Sequence, residues 1–299
     1  MANFKKFILT LLLFILSLYV INQLYKPVPT PFDEKFIEFS TLVDSVEVLE
    51  VGNSHLGALS DFPIGNLNVY NMSHAAMELE NQYIILSKIL NQKNKIKTVL
   101  LSFDYDQIGH VTSNSIIENM LLPTKKDLSK GVDWLILTLK PIHFLKHNRD
   151  LPPLVQFYFK KKMVHKKNAI VTVDFKDKHD IKQCKQRALQ LGKLSYNKKR
   201  IDDNIKYIKL ISSLAKEHNV KCLFISTPKG KCFSEYYDQY VSDTQKTQAI
   251  KVMEDNNCIF LDYYKDARFT EDDILDFDHL NANGARKLNG ILSEYIESH

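Results

Sequence analysis

Ser54 is the first side chain whose type and position suit it to chemistry. It lies in the segment Val51–His55, where a run of β-branched residues ends in the turn-forming pair Gly52 and Asn53. A serine on a tight turn after a buried strand presents its hydroxyl at the sheet edge and leaves nearby backbone N–H groups free to bind an oxyanion. Because such a turn is more often an ordinary loop, a second feature has to support this interpretation.

The second feature is the pair Asp276 and His279, just before the last predicted helix. A serine needs a base, and imidazole is the side chain whose unperturbed pKa lies near neutrality. A carboxylate on the far ring nitrogen fixes the tautomer and stabilises the imidazolium that forms. Three residues separate the aspartate from the histidine, so the two can meet across one turn. We therefore predict Ser54 as nucleophile, His279 as base and Asp276 as the residue that orients the base.

Other polar residues near these segments have competing interpretations. We expect His55, next to the serine on the turn, to point elsewhere, with contact to substrate as the alternative. We expect Asp278 to face away from the histidine beside it and to be solvated or to cap a helix. His74 and His110 follow strand ends, where they could contact substrate, although a hydrogen-bonded structural role is more common for such residues.

Together the two blocks resemble those of the SGNH, or GDSL-like, hydrolase superfamily. The segment Gly52–His55 is similar to the first block of that superfamily, and Asp276-x-x-His279-Leu280-Asn281 followed by Gly284 is similar to its last. The resemblance covers residues 45–106 and 201–299. It implies the same three roles for the serine, the histidine and the aspartate, and it implies no cofactor.

The intermediate blocks of the superfamily are less well matched. Its second-block glycine is not apparent near Asn71, and its Gly-x-Asn-Asp block is replaced by Ser102–Tyr105. An ionised Asp104 only accepts hydrogen bonds, and loss of one oxyanion donor costs on the order of 100-fold in rate. The sequence therefore favours a slow or specialised enzyme, or an inactive one. The predicted oxyanion or substrate residues are Asn53, Asn71, Ser73 and Asp104, with backbone N–H groups at Ser54 and near Ser73.

Strands and helices alternate along most of the chain. Amphipathic stretches at helical spacing, residues 79–90, 201–214 and 285–295, follow runs that are rich in β-branched residues. This alternation predicts a mostly parallel five-stranded sheet covered on both faces, a three-layer α/β/α sandwich of the SGNH-hydrolase-like or flavodoxin-like type. The predicted strands are residues 46–51, 67–72, 97–103, 220–225 and 258–261.

Residues 107–200 interrupt the alternation and are predicted to be a large basic insertion at the carboxyl edge of the sheet. Residues 121–200 carry 20 basic and 6 acidic residues, whereas the rest of the chain carries 20 and 29. An anionic glycan, a teichoic-type polymer or lipid headgroups would fit this charge, and a solvated lysine face is the alternative. Nucleic acid is not an expected partner, because the domain is predicted to lie outside the cytoplasm.

The first 25 residues predict a membrane anchor. Two lysines precede an apolar run from Phe7 to Tyr25, which has about the length that a bilayer requires, and no small-residue cleavage site follows it. We expect this run to be a single transmembrane helix, with a cleaved signal peptide as the alternative. Residues 26–44 would form a linker, in which the alternate prolines of residues 26–31 favour an extended spacer, and residues 45–299 would form a domain outside the cytoplasm.

The four cysteines show neither a C-x-x-C pair nor a histidine at zinc-ligand spacing, so a structural metal site is not expected. Cys222 and Cys258 lie in apolar, strand-like runs, where a buried thiol is the ordinary interpretation. Export would permit disulfides, and the sequence leaves their pairing open.

These features predict a serine-dependent acyl-ester hydrolase or O-acyltransferase without a metal or cofactor. The predicted substrates are small O-acyl groups on a cell-surface polysaccharide. The anchored N-terminus and Asn71–Ser73 look most like an exported branch of the superfamily. That branch includes the teichoic-acid D-alanylation accessory protein and partners of membrane-bound O-acyltransferases. The alternative is a non-catalytic relative that positions polymer for such a transferase. A nucleotide enzyme of similar architecture would need a glycine-rich loop that is missing here.

Overall fold

The computed structural model describes residues 2–24, 31–105, 107–109, 180–194, 198–240 and 243–299. The chain divides into two units. One contains helix α1 (Ala2–Leu24), and the other contains the described residues from Phe32 onward. The predictions for His110 and for most of the basic insertion lie outside the described residues.

The membrane anchor predicted for residues 1–25 is not upheld. Within the described part of the chain, no helix combines the length and the apolar character needed to cross a membrane.

Within the predicted linker, residues 31–42 form helix α2 (Pro31–Leu42), whereas residues 26–30 of the predicted extended spacer lie outside the described residues. Proline is tolerated at the first helical position, where its missing N–H has no partner within the helix. The helix is held by burial of Phe39, whose ring centroid lies 5.3 Å from that of Tyr70. In addition, Lys35 Nζ donates to the carbonyl of Ser73 at 2.7 Å. This contact brings α2 to the segment that follows the second strand.

Five parallel strands form one sheet, which confirms the predicted fold class. The strand order is β2-β1-β3-β4-β5, the flavodoxin-like order of a doubly wound sheet. In such sheets ligands bind at the carboxyl ends of the strands, where the strand order reverses, here between β1 and β3. The strands are β1 (Val48–Val51), β2 (Val69–Asn71), β3 (Thr98–Ser102), β4 (Lys221–Ser226) and β5 (Ile259–Asp262).

Helices cover both faces of the sheet. On one face, Val48, Leu100 and Leu223 pack against Leu288 and Leu292 of the last helix. Against the opposite face, α4 and α6 contact each other and the strands β1 and β4, and α8 contacts α6 and β5. The helices are α3 (Ser54–Gly57), α4 (Leu79–Leu90), α5 (Ile181–Leu194), α6 (Lys198–Glu217), α7 (Lys231–Tyr237), α8 (Asp243–Asp255) and α9 (Ala282–Ser298).

Two disulfides cross-link the sheet-containing unit. Cys222 and Cys258 are joined, so the interpretation of both as free buried thiols is wrong. The reason lies in the register: the pair Leu223 and Ile259 is matched across β4 and β5, which places the preceding residues of the two strands side by side. The second bond, Cys184–Cys232, joins α5 to α7. It attaches a described part of the predicted insertion to the rest of the unit.

Candidate active site

Ser54 lies at the carboxyl end of β1, beside the point where the strand order reverses. It is the first residue of α3, and Asn53 caps this short helix by accepting the N–H of His55 at 3.0 Å. Gly52 allows the turn to pass close to β3, because a Cβ at this position would lie 2.5 Å from the Cβ of Ser102. The serine therefore sits on a tight turn that its neighbours hold in place.

His279 lies in the loop between a 3-10 turn (Glu271–Asp273) and α9. The carboxylate of Asp276 organises this loop, because its Oδ1 accepts the backbone N–H groups of residues 277, 278 and 279 at 2.6, 2.9 and 2.9 Å. Asn281 then caps α9 by accepting the N–H groups of Asn283 and Gly284. Both ends of the loop are thus tied to backbone, which fixes the direction of the imidazole.

The structure brings the three predicted catalytic residues together. Ser54 Oγ and His279 Nε2 are 2.9 Å apart, although 225 positions separate the two residues in the sequence. On the other side of the ring, His279 Nδ1 lies 2.9 Å from Asp276 Oδ2. The side chains of Asp276 and His279 are 10% and 13% exposed, so water shields these contacts only weakly. A serine, an imidazole and a carboxylate therefore form one hydrogen-bonded chain.

Among the predicted oxyanion residues, the side chains of Asn53 and Asn71 are engaged within the protein. Asn53 Nδ2 donates to Asp104 Oδ2 at 2.7 Å. Asn71 Nδ2 donates to Glu50 and to the carbonyl of residue 56, while Asn71 Oδ1 accepts the N–H of Ser73. The buried Ser73 hydroxyl has no hydrogen-bond partner within the residues that the structure describes. Its oxyanion role, like those of the two asparagines, stays a prediction.

His55 and Asp278 are both buried; His55 points away from the serine hydroxyl as expected, whereas the expectation for Asp278 is wrong. His55 Nδ1 lies 2.6 Å from Asp104 Oδ2, and His55 Nε2 lies 3.3 Å from Asp278 Oδ2. The ring centroids of His55 and His279 are 4.4 Å apart. Asp278 is therefore not solvated, and it does not face away from the imidazole beside it. Its burial is explained by Arg187 of α5, whose guanidinium donates to Asp278 Oδ2 at 2.9 and 3.2 Å.

Lys229 is a further charged group that the sequence interpretation missed. It follows β4, its side chain is 3% exposed, and its Nζ lies 2.9 Å from Asp104 Oδ1. The same ammonium donates to Thr227 and to the backbone carbonyl of Asp278. The position of Lys229 shortly after a predicted strand is the sequence signal that could have identified it as a residue of the site. The carboxylate of Asp104 is thus contacted from two sides, by Lys229 and by His55.

Two opposing effects set the pKa values in this network: burial disfavours the charged form of each group, and neighbouring groups of opposite charge favour it. Burial alone would lower the pKa of His279, but the hydrogen bond to Asp276 and the nearby carboxylate of Asp278 outweigh it and raise the pKa to about 9. Burial alone would raise the pKa of Asp278, but His279, His55 and Arg187 hold it well below its usual range. The pKa of Asp104 is likewise lowered, because His55 and Lys229 outweigh its burial. These carboxylates are therefore ionised at neutral pH.

His55, Asp278 and His279 lie close enough to be considered as metal ligands, since one ligand atom of each lies within 4.8 Å of the others. Their atoms are already engaged, however, because Asp104 binds His55 Nδ1 while Arg187 and His55 share Asp278 Oδ2. The guanidinium would also repel a metal cation. We therefore assign the three side chains to an ion-pair network.

Half of this chain matches a known protein family. A protein-family model that carries no functional description matches residues 150–299, half of the chain, so the chain belongs to the family that this model defines. No curated protein matches the sequence.

Solved structures that resemble this one share 11% sequence identity with it. A GDSL-like lipase from Bacteroides thetaiotaomicron superposes with a TM-score of 0.44, over 90% of this chain and 98% of its own. A candidate acylhydrolase from Bacteroides fragilis superposes with a TM-score of 0.43, over 92% and 99% of the two chains.

Proposed function

We propose that the protein is a serine-dependent acyl-ester hydrolase or O-acyltransferase. The observation that carries this proposal is the hydrogen-bonded chain from Ser54 Oγ through His279 to Asp276, with both contacts at 2.9 Å. A serine hydroxyl is a weak nucleophile unless a base removes its proton as it attacks. The imidazole is at hydrogen-bond distance from that proton, and the carboxylate holds the imidazole in the tautomer that can accept it.

In the proposed reaction, Ser54 Oγ attacks the carbonyl carbon of an ester and its proton passes to His279 Nε2. The C–O bond of the ester then breaks, and the leaving alkoxide takes that proton as the acyl group stays on the serine. Water or a sugar hydroxyl next gives a proton to the imidazole as it attacks the acyl-serine, the bond between the acyl carbon and Ser54 Oγ breaks, and the imidazolium returns the proton to Ser54. Asp276 stays ionised throughout and stabilises the imidazolium.

The negative charge on the tetrahedral intermediate needs donors near Ser54. The N–H of Ser54 belongs to the first turn of α3, where N–H groups have no acceptor within the helix. The hydroxyl of Ser73 is a second candidate donor. Asp104 does not qualify, because an ionised carboxylate only accepts hydrogen bonds. With one side-chain donor fewer, we expect a rate lower by on the order of 100-fold than with a complete site.

For the substrate, we propose small O-acyl groups on an anionic polysaccharide. The support is the charge of residues 121–200, which carry 20 basic and 6 acidic residues. Most of this segment lies outside the described residues, so the proposal for the substrate rests on sequence alone. Hydrolysis and transfer use the same three catalytic residues, and the group that reaches the acyl-serine decides between them.

A second candidate function is a non-catalytic scaffold that positions polymer for a membrane-bound O-acyltransferase. The ionised acceptor Asp104, where the superfamily has an asparagine, favours this alternative. A fluorophosphonate probe separates the two, because it reacts covalently only with an activated serine. We expect one adduct, located at Ser54 by peptide mass spectrometry, and its loss in Ser54→Ala. Ser60→Ala, which changes an exposed serine nearby, is the matched control. An unlabelled, folded wild-type protein would leave the scaffold as the better description.

A further inference from the structure

Asp278 has no role in the three-residue scheme, yet it is the most deeply buried carboxylate of the site, with no exposed surface. A buried carboxylate is costly unless charged partners compensate it. Its Oδ2 accepts two N–H groups of Arg187 and lies 3.3 Å from His55 Nε2. The guanidinium of Arg187 and the imidazole of His55 thus converge on a single oxygen atom.

The other oxygen of this carboxylate points to the catalytic base. Asp278 Oδ1 lies 3.5 Å from His279 Nδ1, and it accepts no hydrogen bond from any residue that the structure describes. Since His279 Nδ1 already lies 2.9 Å from Asp276 Oδ2, two carboxylates flank the same ring nitrogen. A single orienting aspartate would need only one of them.

We propose that Asp278 is a second positioning carboxylate for His279, held against the Nδ1 side of the ring by Arg187 and His55. The inference rests on the proposed function, because it assigns a role within that same site. Asp278 shares with Asp276 the stabilisation of the imidazolium that forms when the serine is deprotonated. It can also accept the Nδ1 proton when Asp276 is removed, after a ring movement of under about 1 Å, the difference between 3.5 Å and a normal N–H···O distance.

Titratable and charged groups from five parts of the fold set the electrostatic environment of His279. Asp276 and Asp278 come from its own loop, His55 from α3, and Arg187 from α5. Asp104 and Lys229 follow β3 and β4 and form a buried ion pair at 2.9 Å.

Arg187 and Lys229 are the positive members of this set and contact carboxylates, and His55 lies between Asp104 and Asp278. Arg187 and His55 contact Asp278 directly, and Lys229 pairs with Asp104. The net effect favours the protonated ring: its pKa is raised because both Asp276 and Asp278 outweigh burial. This direction agrees with the geometry, since Asp276 Oδ2 and Asp278 Oδ1 lie 2.9 and 3.5 Å from Nδ1.

The inference can be tested without any activity, by NMR titration of the imidazole Cε1–H of His279, assigned with His279→Gln. We expect Asp278→Asn to lower the pKa of His279 by at least about 1 pH unit, the usual effect of one nearby opposite charge. Asp272→Asn, which removes an exposed carboxylate from the same loop region, should leave it unchanged. A folded Asp278→Asn protein whose His279 titrates as in the wild type would overturn the inference.

Asp276→Asn provides an answer even if Asp278→Asn does not fold, because it leaves Asp278 as the remaining carboxylate at the ring. We expect His279 in Asp276→Asn to retain a pKa above 6.5, the ordinary value that the titration takes as reference. A value at or below 6.5 would mean that Asp278 does not offset the burial of the ring, and it would refute the proposal. Either result is independent of whether Ser54 reacts with any probe.

The rate of fluorophosphonate labelling supplies the functional readout. Loss of the orienting carboxylate costs about 10⁴-fold in a triad with one aspartate. We expect Asp276→Asn alone to lose less than about 100-fold, and the double variant with Asp278→Asn to lose about 10⁴-fold. If Asp276→Asn alone already loses the full amount, Asp278 has no positioning role. If the fluorophosphonate does not label the wild type at any pH, the proposed function fails. The NMR titration still tests whether Asp278 is a positioning carboxylate for His279.

Discussion

The reactivity of Ser54 should rise steeply with pH between 7 and 9. Ser54 can give its proton only to a neutral imidazole, and the two flanking carboxylates raise the pKa of His279 to about 9. At pH 7 about 1% of the imidazole is then neutral, and at pH 9 about half, so the labelling rate should increase about 50-fold over this interval and level off above it.

The assay is the second-order rate of fluorophosphonate labelling, measured at each half unit from pH 6 to pH 10.5. A serine hydrolase whose histidine has an ordinary pKa is labelled in parallel, so that decay of the probe at high pH is corrected. Ser54→Ala gives the background. A wild-type rate that has already reached its plateau at pH 7 would refute the reasoning, because His279 would then be neutral where we expect it to be protonated.

The raised pKa of His279 also predicts that the free energy of unfolding falls as the pH rises, whereas the labelling rate increases. The folded-state pKa of His279 lies above its unfolded value of 6.5. The proton bound to His279 therefore stabilises the fold fully below pH 6.5, and this contribution is lost as the pH rises through 9. A displacement of about 2.5 units corresponds to about 3 kcal/mol. In urea denaturation, the stability difference between wild type and His279→Gln should shrink by about this amount from pH 6 to pH 10.

Two further predictions concern stability. Burial raises the pKa of Glu50 to about 8 although Asn71 and a lysine oppose it, so its proton stabilises the fold below pH 4.5 and is lost through pH 8. The free energy of unfolding of Glu50→Gln, relative to that of wild type, should therefore rise by up to about 5 kcal/mol from pH 4.5 to pH 9 in urea titrations. If the free energies of unfolding of the two proteins changed in parallel with pH, this prediction would be contradicted. On α9, an alanine Cβ at Gly284 would lie 2.3 Å from the carbonyl of Asp273, whereas Gly290 has open space. Gly284→Ala should destabilise by about 1–3 kcal/mol, and Gly290→Ala should stabilise by about 0.5–1 kcal/mol. Equal melting temperatures for the two variants would refute the contact.

The central strands β1, β3 and β4 could be predicted from the sequence because each is a short, mostly apolar run that is buried along nearly all of its length, as parallel strands are. The predicted run 97–103, for example, contains β3 (Thr98–Ser102), whose five residues are all buried. Helix α2 was missed because the prolines of residues 27–31 favour extended chain. The stability of this helix depends instead on packing of Phe39 against Tyr70. Helix propensity cannot predict this contact, because the two residues are far apart in the sequence.

In the candidate site, too, contacts between residues close in the sequence could be predicted, whereas contacts between distant residues could not. Asp276 and His279 could be paired from their spacing, because the loop that joins them closes on itself through the N–H groups that Asp276 accepts. The role of Asp278 could not, because its partner Arg187 lies 91 positions away. That arginine belongs to a stretch where the sequence shows no clear period. A carboxylate beside a histidine looks solvated until the cation that compensates its burial is known.

The separation of 225 positions between Ser54 and His279 has a consequence for biosynthesis. Ribosomes add about 5–20 residues per second, so roughly 10–50 s pass between synthesis of the hydroxyl and synthesis of its base. Throughout that time the nascent chain carries an unactivated serine, which cannot attack the esters around it. Because parallel strands also pair slowly across long crossovers, chemical competence arrives with the last steps of folding, and a stalled or truncated translation product would be inert.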